Sequence, residues 1–164
     1  MFYDDEMGTK NRKDTQLVEL AGRNRLAGEL QRAGIEVARP ERDRGVDLLA
    51  YLDLEKAFHA RPIQMKASTG ETFNVFPRYE KFPDLMLVYV WNVGQDKSRY
   101  FALTYDDAKS IAEKMGWTET RSWKGETAGP PGYIATTMTP PLRDLLVSHE
   151  ITDPRQWRKK LFSL

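Results

Sequence analysis

The chain contains no cysteine. That excludes disulfides, thiolate zinc centres and cysteine nucleophiles, and it fits a cytoplasmic protein. No apolar run approaches the roughly 18–20 residues needed to cross a bilayer, so no membrane partner is expected. The opening residues, Met1 to Glu6, are acidic and do not lead from a basic stretch into an apolar one. A secretory leader is therefore not expected. Neither sign of charge dominates. The net charge is +1, so any site for a polyanion must come from local clustering. There is no internal repeat and no low-complexity tract.

What remains is an ordinary globular composition, 40% hydrophobic and 30% charged. A chain of 164 residues can bury one real core but not comfortably two. Residues 1–164 are expected to form a single domain. Residues 1–13 read as a polar arm whose end is basic through Lys10, Arg12 and Lys13. A helix is predicted from Asp14 or Thr15, both good N-cap types, to Ala33, with Gly34 closing it. Leu17, Leu20, Ala21, Ala27 and Leu30 recur at helical spacing and form its expected apolar stripe. Gly22 and Gly28 lie inside that helix at a cost of about 1 kcal/mol each relative to alanine, which suggests close packing against a sheet.

Ile35 to Arg39 reads as a short strand, and Glu41 to Gly45 as a charged turn. Two runs follow. Val46 to Asp53 is nearly continuous in apolar residues between acids, as a buried strand would be. Arg61 to Ser68 alternates, with Ile63, Met65 and Ala67 on one side and Gln64, Lys66 and Ser68 on the other. Antiparallel pairing about a turn near Lys56 and Ala57 sets Asp47 against the Gln64 to Lys66 segment. The linker histidine, His59, is assigned no role.

Further on, Thr72 to Phe76 is a strand or an extended connection, and Pro77 to Pro83 holds at most one helical turn. Leu85 to Trp91, the most apolar run, is a buried central strand. Arg99 to Leu103 returns as the next strand. Thr104 or Asp106 caps a helix whose inner face is Ala108, Ile111, Ala112 and Met115, stopped by Gly116. Trp123 to Tyr133 reads as a long loop. Leu142 to Ser148 has a helical look, and Asp153-Pro154 opens a last, basic helix around Trp157 and Leu161. The order implies an α/β sheet with helices on its faces.

The residues resemble the PD-(D/E)XK, or restriction-endonuclease-like, nuclease superfamily. The likeness rests on an α-β-β-β-α-β order. It places an acid in the first helix (Glu19), an aspartate opening the second strand (Asp47), and an acid-or-amide, any residue, lysine triplet in the third (Gln64-Met65-Lys66). The G-V-D…Q-M-K form resembles the branch that includes Mrr-type restriction enzymes and relatives of archaeal Holliday-junction resolvases, in which glutamine can replace the usual glutamate. The likeness covers residues 14–116 and leaves an irregular carboxy-terminal extension, 117–164. It implies a mixed central sheet flanked by helices, a Mg²⁺- or Mn²⁺-dependent hydrolase acting on phosphodiester bonds, a DNA substrate and a homodimer. No small-molecule cofactor is implied.

The chemistry of the residues agrees with that implication. Magnesium is hard, prefers oxygen and keeps several waters. Asp47 is the expected anchoring carboxylate, with the Gln64 side-chain oxygen and the Met65 backbone carbonyl completing the protein's share. Lys66 is expected to orient or deprotonate the attacking water and to balance phosphate charge. Glu19 is expected to hold a metal-bound water or a second ion. Because the Gln64 amide is neutral, the site has one negative charge fewer than the acidic version, and its metal affinity is expected to be weaker. Arg42 and Arg44, with Arg23 or Arg12, are the candidates for positioning phosphates. The alternatives left open are a catalytically silent nucleic-acid- or protein-binding module of the same fold, and an interaction domain whose D…QxK pattern is accidental.

Overall fold

The computed structural model describes residues 14–164; Arg12 and the basic end of the amino-terminal arm lie outside the described residues. Helix α1 (Thr15–Arg32) starts where expected. The Asp14 carboxylate accepts hydrogen bonds from the backbone N–H groups of Gln16 and Leu17 at 3.1 and 3.3 Å, so it caps the helix. Gly34, at φ +72°, ends it in the left-handed conformation that glycine adopts freely.

The buried stripe of α1 is the predicted one only in part, at Leu30 and, less deeply, Ala21. Leu17 and Leu20 are 62% and 47% exposed, while Gly22, Leu26 and Leu30 face the sheet. The cause is the closeness of the approach. A Cβ placed on Gly22 would lie 2.6 Å from the Ala67 Cβ, whereas nothing lies within 4 Å of one placed on Gly28. Gly22 is therefore a packing glycine and Gly28 is not. Gly28→Ala is expected to stabilise by up to about 1 kcal/mol through helix propensity. Gly22→Ala is expected to destabilise by about 1–3 kcal/mol by overpacking. Paired urea titrations check the opposite signs.

Six strands form the main sheet: β1 (Glu36–Ala38), β2 (Leu48–Leu54), β3 (Ala57–Ala67), β5 (Met86–Trp91), β6 (Arg99–Thr104) and β8 (Glu150–Ile151), in the spatial order β1-β2-β3-β5-β6-β8. Only the β3–β5 pair is parallel. The β2–β3 turn falls at Glu55 and Lys56, since Leu54 pairs with Ala57, one residue earlier than expected. Strand β5 is buried along its whole length, which is why its sequence is an unbroken apolar run. The connection from β3 to β5 holds no α-helix; it contains β4 (Phe73–Val75) and a single 3₁₀ turn, Pro77–Lys81. The second helix, α2 (Tyr105–Lys114), comes only after β6, so the expected α-β-β-β-α-β order is not the observed one. Thr104 caps it, with reciprocal bonds between Thr104 and Asp107.

Residues 117–164 are woven into this frame rather than appended to it. Strand β7 (Tyr133–Ala135) pairs with β4, α3 (Pro140–Leu146) buries Leu142 and Leu146, and β8 extends the sheet beside β6. Helix α4 (Gln156–Phe162) starts three residues after Asp153 and buries Trp157 and Leu161. The sheet thus separates two cores. One lies beneath α1 and α4 and holds Leu26, Leu30, Ile63, Met65, Val88 and Trp157. The other lies beneath α2 and α3 and holds Phe73, Leu87, Tyr89, Trp91, Phe101 and Ile111. Among the described residues, no helix is long and apolar enough to cross a membrane.

Candidate active site

The site grows out of a mismatch in strand length. Strand β2 begins at Leu48, opposite Ile63, but β3 continues to Ala67. Over that last stretch β3 keeps β5 as a neighbour, from Gln64 beside Leu87 to Ala67 beside Val90, and has no β2 partner. One edge of β3 is therefore open in the middle of the sheet, and its backbone donors need other acceptors.

Asp47 provides one. Its own N–H donates to the Ile63 carbonyl at 2.8 Å, which continues the ladder by one step. Its side chain then crosses the gap. Asp47 Oδ2 accepts from the Met65 N–H and from Gln64 Nε2, each at 2.7 Å. The same Gln64 nitrogen donates to the Met65 carbonyl at 3.3 Å. A carboxylate, an amide and a backbone carbonyl thus meet at the open end of β3. Burial raises the Asp47 pKa above its ordinary value. The Asp43 charge adds to the rise, while the Met65 hydrogen bond, Arg23 and Lys66 oppose it.

The predicted alternation of β3 is present. Met65 belongs to the core beneath α1, and Lys66 turns to the other face. There its ammonium lies 5.6 Å from the centre of the Phe76 ring and 5.2 Å from that of Tyr79. The Arg78 guanidinium lies over the same rings, at 4.8 and 5.1 Å, and donates to the Tyr79 hydroxyl at 3.1 Å. Aromatic faces, rather than a carboxylate, hold this lysine.

These groups line a cleft of about 560 Å³. Glu19 and Arg23 reach it from α1, on the opposite face of the sheet from Lys66, because the missing β2 partner opens the sheet between the faces. Glu19 is exposed there. Among the described residues no three His, Asp or Glu side chains gather closely enough to hold an ion. Asp47, Gln64, Met65 and Lys66 are brought together, and Glu19 stands apart as a lining group. Of the predicted phosphate contacts, Arg23 and Arg44 line the cleft, and Arg42 is exposed on the turn outside it.

Sequence reasoning missed the far wall. Asn74, Arg78, Tyr79 and Lys81 line it. Phe73 and Val75 are buried on either side of Asn74, which leaves Asn74 facing the cleft by strand alternation. Its Oδ1, like Arg23 Nε, is buried without a hydrogen-bond partner. The signal was present in the charged and aromatic run Pro77 to Phe82. Around the cleft, Arg23, Arg44, Lys66, Arg78 and Lys81 outnumber Glu19, Asp43 and Asp47. A chain of net charge +1 therefore concentrates positive charge in this cleft. The carboxylate and the carbonyl suit a hard, oxygen-seeking cation, and the Gln64 amide, which turns its nitrogen to them here, would join that set through its oxygen. No protein-family model matches the chain, and neither curated proteins nor solved structures give a match.

Proposed function

We propose that this chain is a metal-dependent nuclease that hydrolyses phosphodiester bonds, with DNA as substrate and internal bonds as the point of attack. The observation that carries the reading is the meeting of Asp47, Gln64 and the Met65 carbonyl at the open end of β3, with Lys66 one residue further on. The same residues carry the resemblance to the restriction-endonuclease-like superfamily. Asp47, Met65 and the Gln64 side-chain oxygen are the groups that would hold Mg²⁺ or Mn²⁺. Such an ion, when bound, neutralises phosphate charge and activates a water.

The chain's own residues do the rest. Lys66, held against Phe76 and Tyr79, orients the attacking water and offsets charge that builds on the phosphate. Arg23 and Arg44 on one wall, and Arg78 and Lys81 on the other, hold flanking phosphates without reading bases. A homodimer, which the resemblance implies, would present two such clefts to two strands.

One observation favours a second reading. The triplet carries Gln64 where an acid is usual, and no three carboxylates converge among the described residues. A silent DNA-binding module of the same fold would look like this. Plasmid nicking separates the two. The purified protein is expected to nick supercoiled DNA in Mg²⁺ or Mn²⁺ but not in EDTA, and Lys66→Ala is expected to lose about a hundredfold or more of the rate. Plasmid left intact in both metals, with salt-dependent DNA binding, would select the silent module.

A further inference from the structure

The position of the Gln64 amide has a consequence for how this site fills. Its nitrogen lies 2.7 Å from Asp47 Oδ2 and 3.3 Å from the Met65 carbonyl oxygen. An ionised carboxylate and a backbone carbonyl are acceptors only. Whatever atom of Gln64 lies between them must donate, so an amide oxygen in that place would be repelled by both. The assignment of nitrogen and oxygen thus follows from the neighbours, not from the shape of the amide. Gln64 is buried, 8% exposed, so bulk water does not readily take over either contact. These acceptors are the same oxygens that a hard cation would need.

We propose that the Gln64 carboxamide is an internal stand-in for the cation. Its N–H₂ bridges Asp47 and Met65 when no metal is bound, and loading requires the amide to turn over and present its oxygen. Gln64 then acts as a switch on metal loading as well as a ligand. An ionised acid at this position has no such second state: it has no hydrogen to give and would repel the Asp47 carboxylate until a cation or a shared proton arrives. Glutamine therefore holds the metal-free site together at the expense of metal affinity. The inference rests on the metal-dependent reading above, and its test does not use cleavage.

The test is side-chain ¹⁵N–¹H NMR of the full chain, with the Gln64 N–H₂ pair assigned by its absence in Gln64→Glu, during titration with Mg²⁺. In the metal-free protein the Gln64 amide protons are expected to exchange slowly with solvent. On saturation the pair is expected to shift more than any other glutamine pair and to lose that protection. Calorimetry with Mn²⁺ is expected to show at least tenfold tighter binding to Gln64→Glu, together with a lower melting temperature of that variant in EDTA. Magnesium binding by calorimetry with the Gln64 pair unmoved would overturn the switch and leave the metal site standing. Failure of both proteins to bind either ion would overturn both. The expected shifts in a protein that leaves DNA intact would support the switch and reject the nuclease.

Discussion

Asp47→Asn is expected to abolish the proposed cleavage while leaving the fold as stable as before, or more so. Asparagine is nearly the same shape, and its single oxygen can take both bonds that Asp47 Oδ2 now accepts, from the Met65 N–H and from Gln64 Nε2. What disappears is the charge. Burial, helped by Asp43, raises the Asp47 pKa above its ordinary 3.8. A carboxyl group whose pKa is raised on folding favours the folded state when protonated, below 3.8. That contribution is lost as the pH rises through the elevated folded-state value. At pH 7 the wild type therefore carries the cost of a half-buried carboxylate, and the asparagine variant does not. The melting temperature of the variant should equal or exceed that of the wild type at neutral pH, and the gap should close on acidification.

Activity runs the other way. A neutral amide cannot anchor a divalent ion as a carboxylate does, and loss of the chief electrostatic group should cost about a thousandfold or more in rate. Nicking assays in Mg²⁺ beside thermal denaturation at pH 5 and pH 7 measure both effects. A variant that still nicks would remove Asp47 from the site. A variant that melts much earlier than the wild type would make Asp47 a structural residue first.

Trp157→Ala should be the most destabilising single change in the carboxy-terminal segment. The indole is fully buried, packs edge-on to Tyr100 with ring centres 6.2 Å apart, and shares its core with Leu26, Leu30 and Leu161. Truncating a buried aromatic to alanine costs about 3–5 kcal/mol, a large fraction of the roughly 5–15 kcal/mol that holds a domain folded. Trp157→Phe gives a finer reading. The indole N–H is buried with no hydrogen-bond partner, so phenylalanine loses volume but also removes a stranded donor. Its cost should be less than half that of alanine. Urea unfolding of both variants decides the point. A change below about 1 kcal/mol for alanine would mean that α4 is dispensable. The same packing predicts that a chain ending at residue 116 does not fold, because α4 covers part of the core beneath the sheet.

The local elements could be read without coordinates, because their causes are local. Asp14, Thr104, Gly34 and Gly116 mark helix ends through hydrogen bonds and dihedral angles within a few residues. The unbroken run Met86–Trp91 marks a strand covered on both faces. The pairing of Asp47 with the Gln64 to Lys66 segment could be read because an apolar strand and an alternating one joined by a short turn have few possible registers. The apolar stripe of α1 could be read only in part, for a reason that is not local. Glycine contributes nothing to a hydrophobic pattern, yet Gly22 sets which face meets β3.

The sequence by itself determined where the candidate side chains stand: an amide and a lysine on a strand whose period dictates where they point, and a carboxylate just ahead of the strand that pairs with it. Tertiary structure alone decided that β2 stops short and opens the edge of β3. It also brought the Pro77–Lys81 turn round as a second cationic wall, and made residues 117–164 part of the core. Those outcomes depend on contacts between residues far apart along the chain. Their energies come from area buried between elements, which no single stretch of sequence carries.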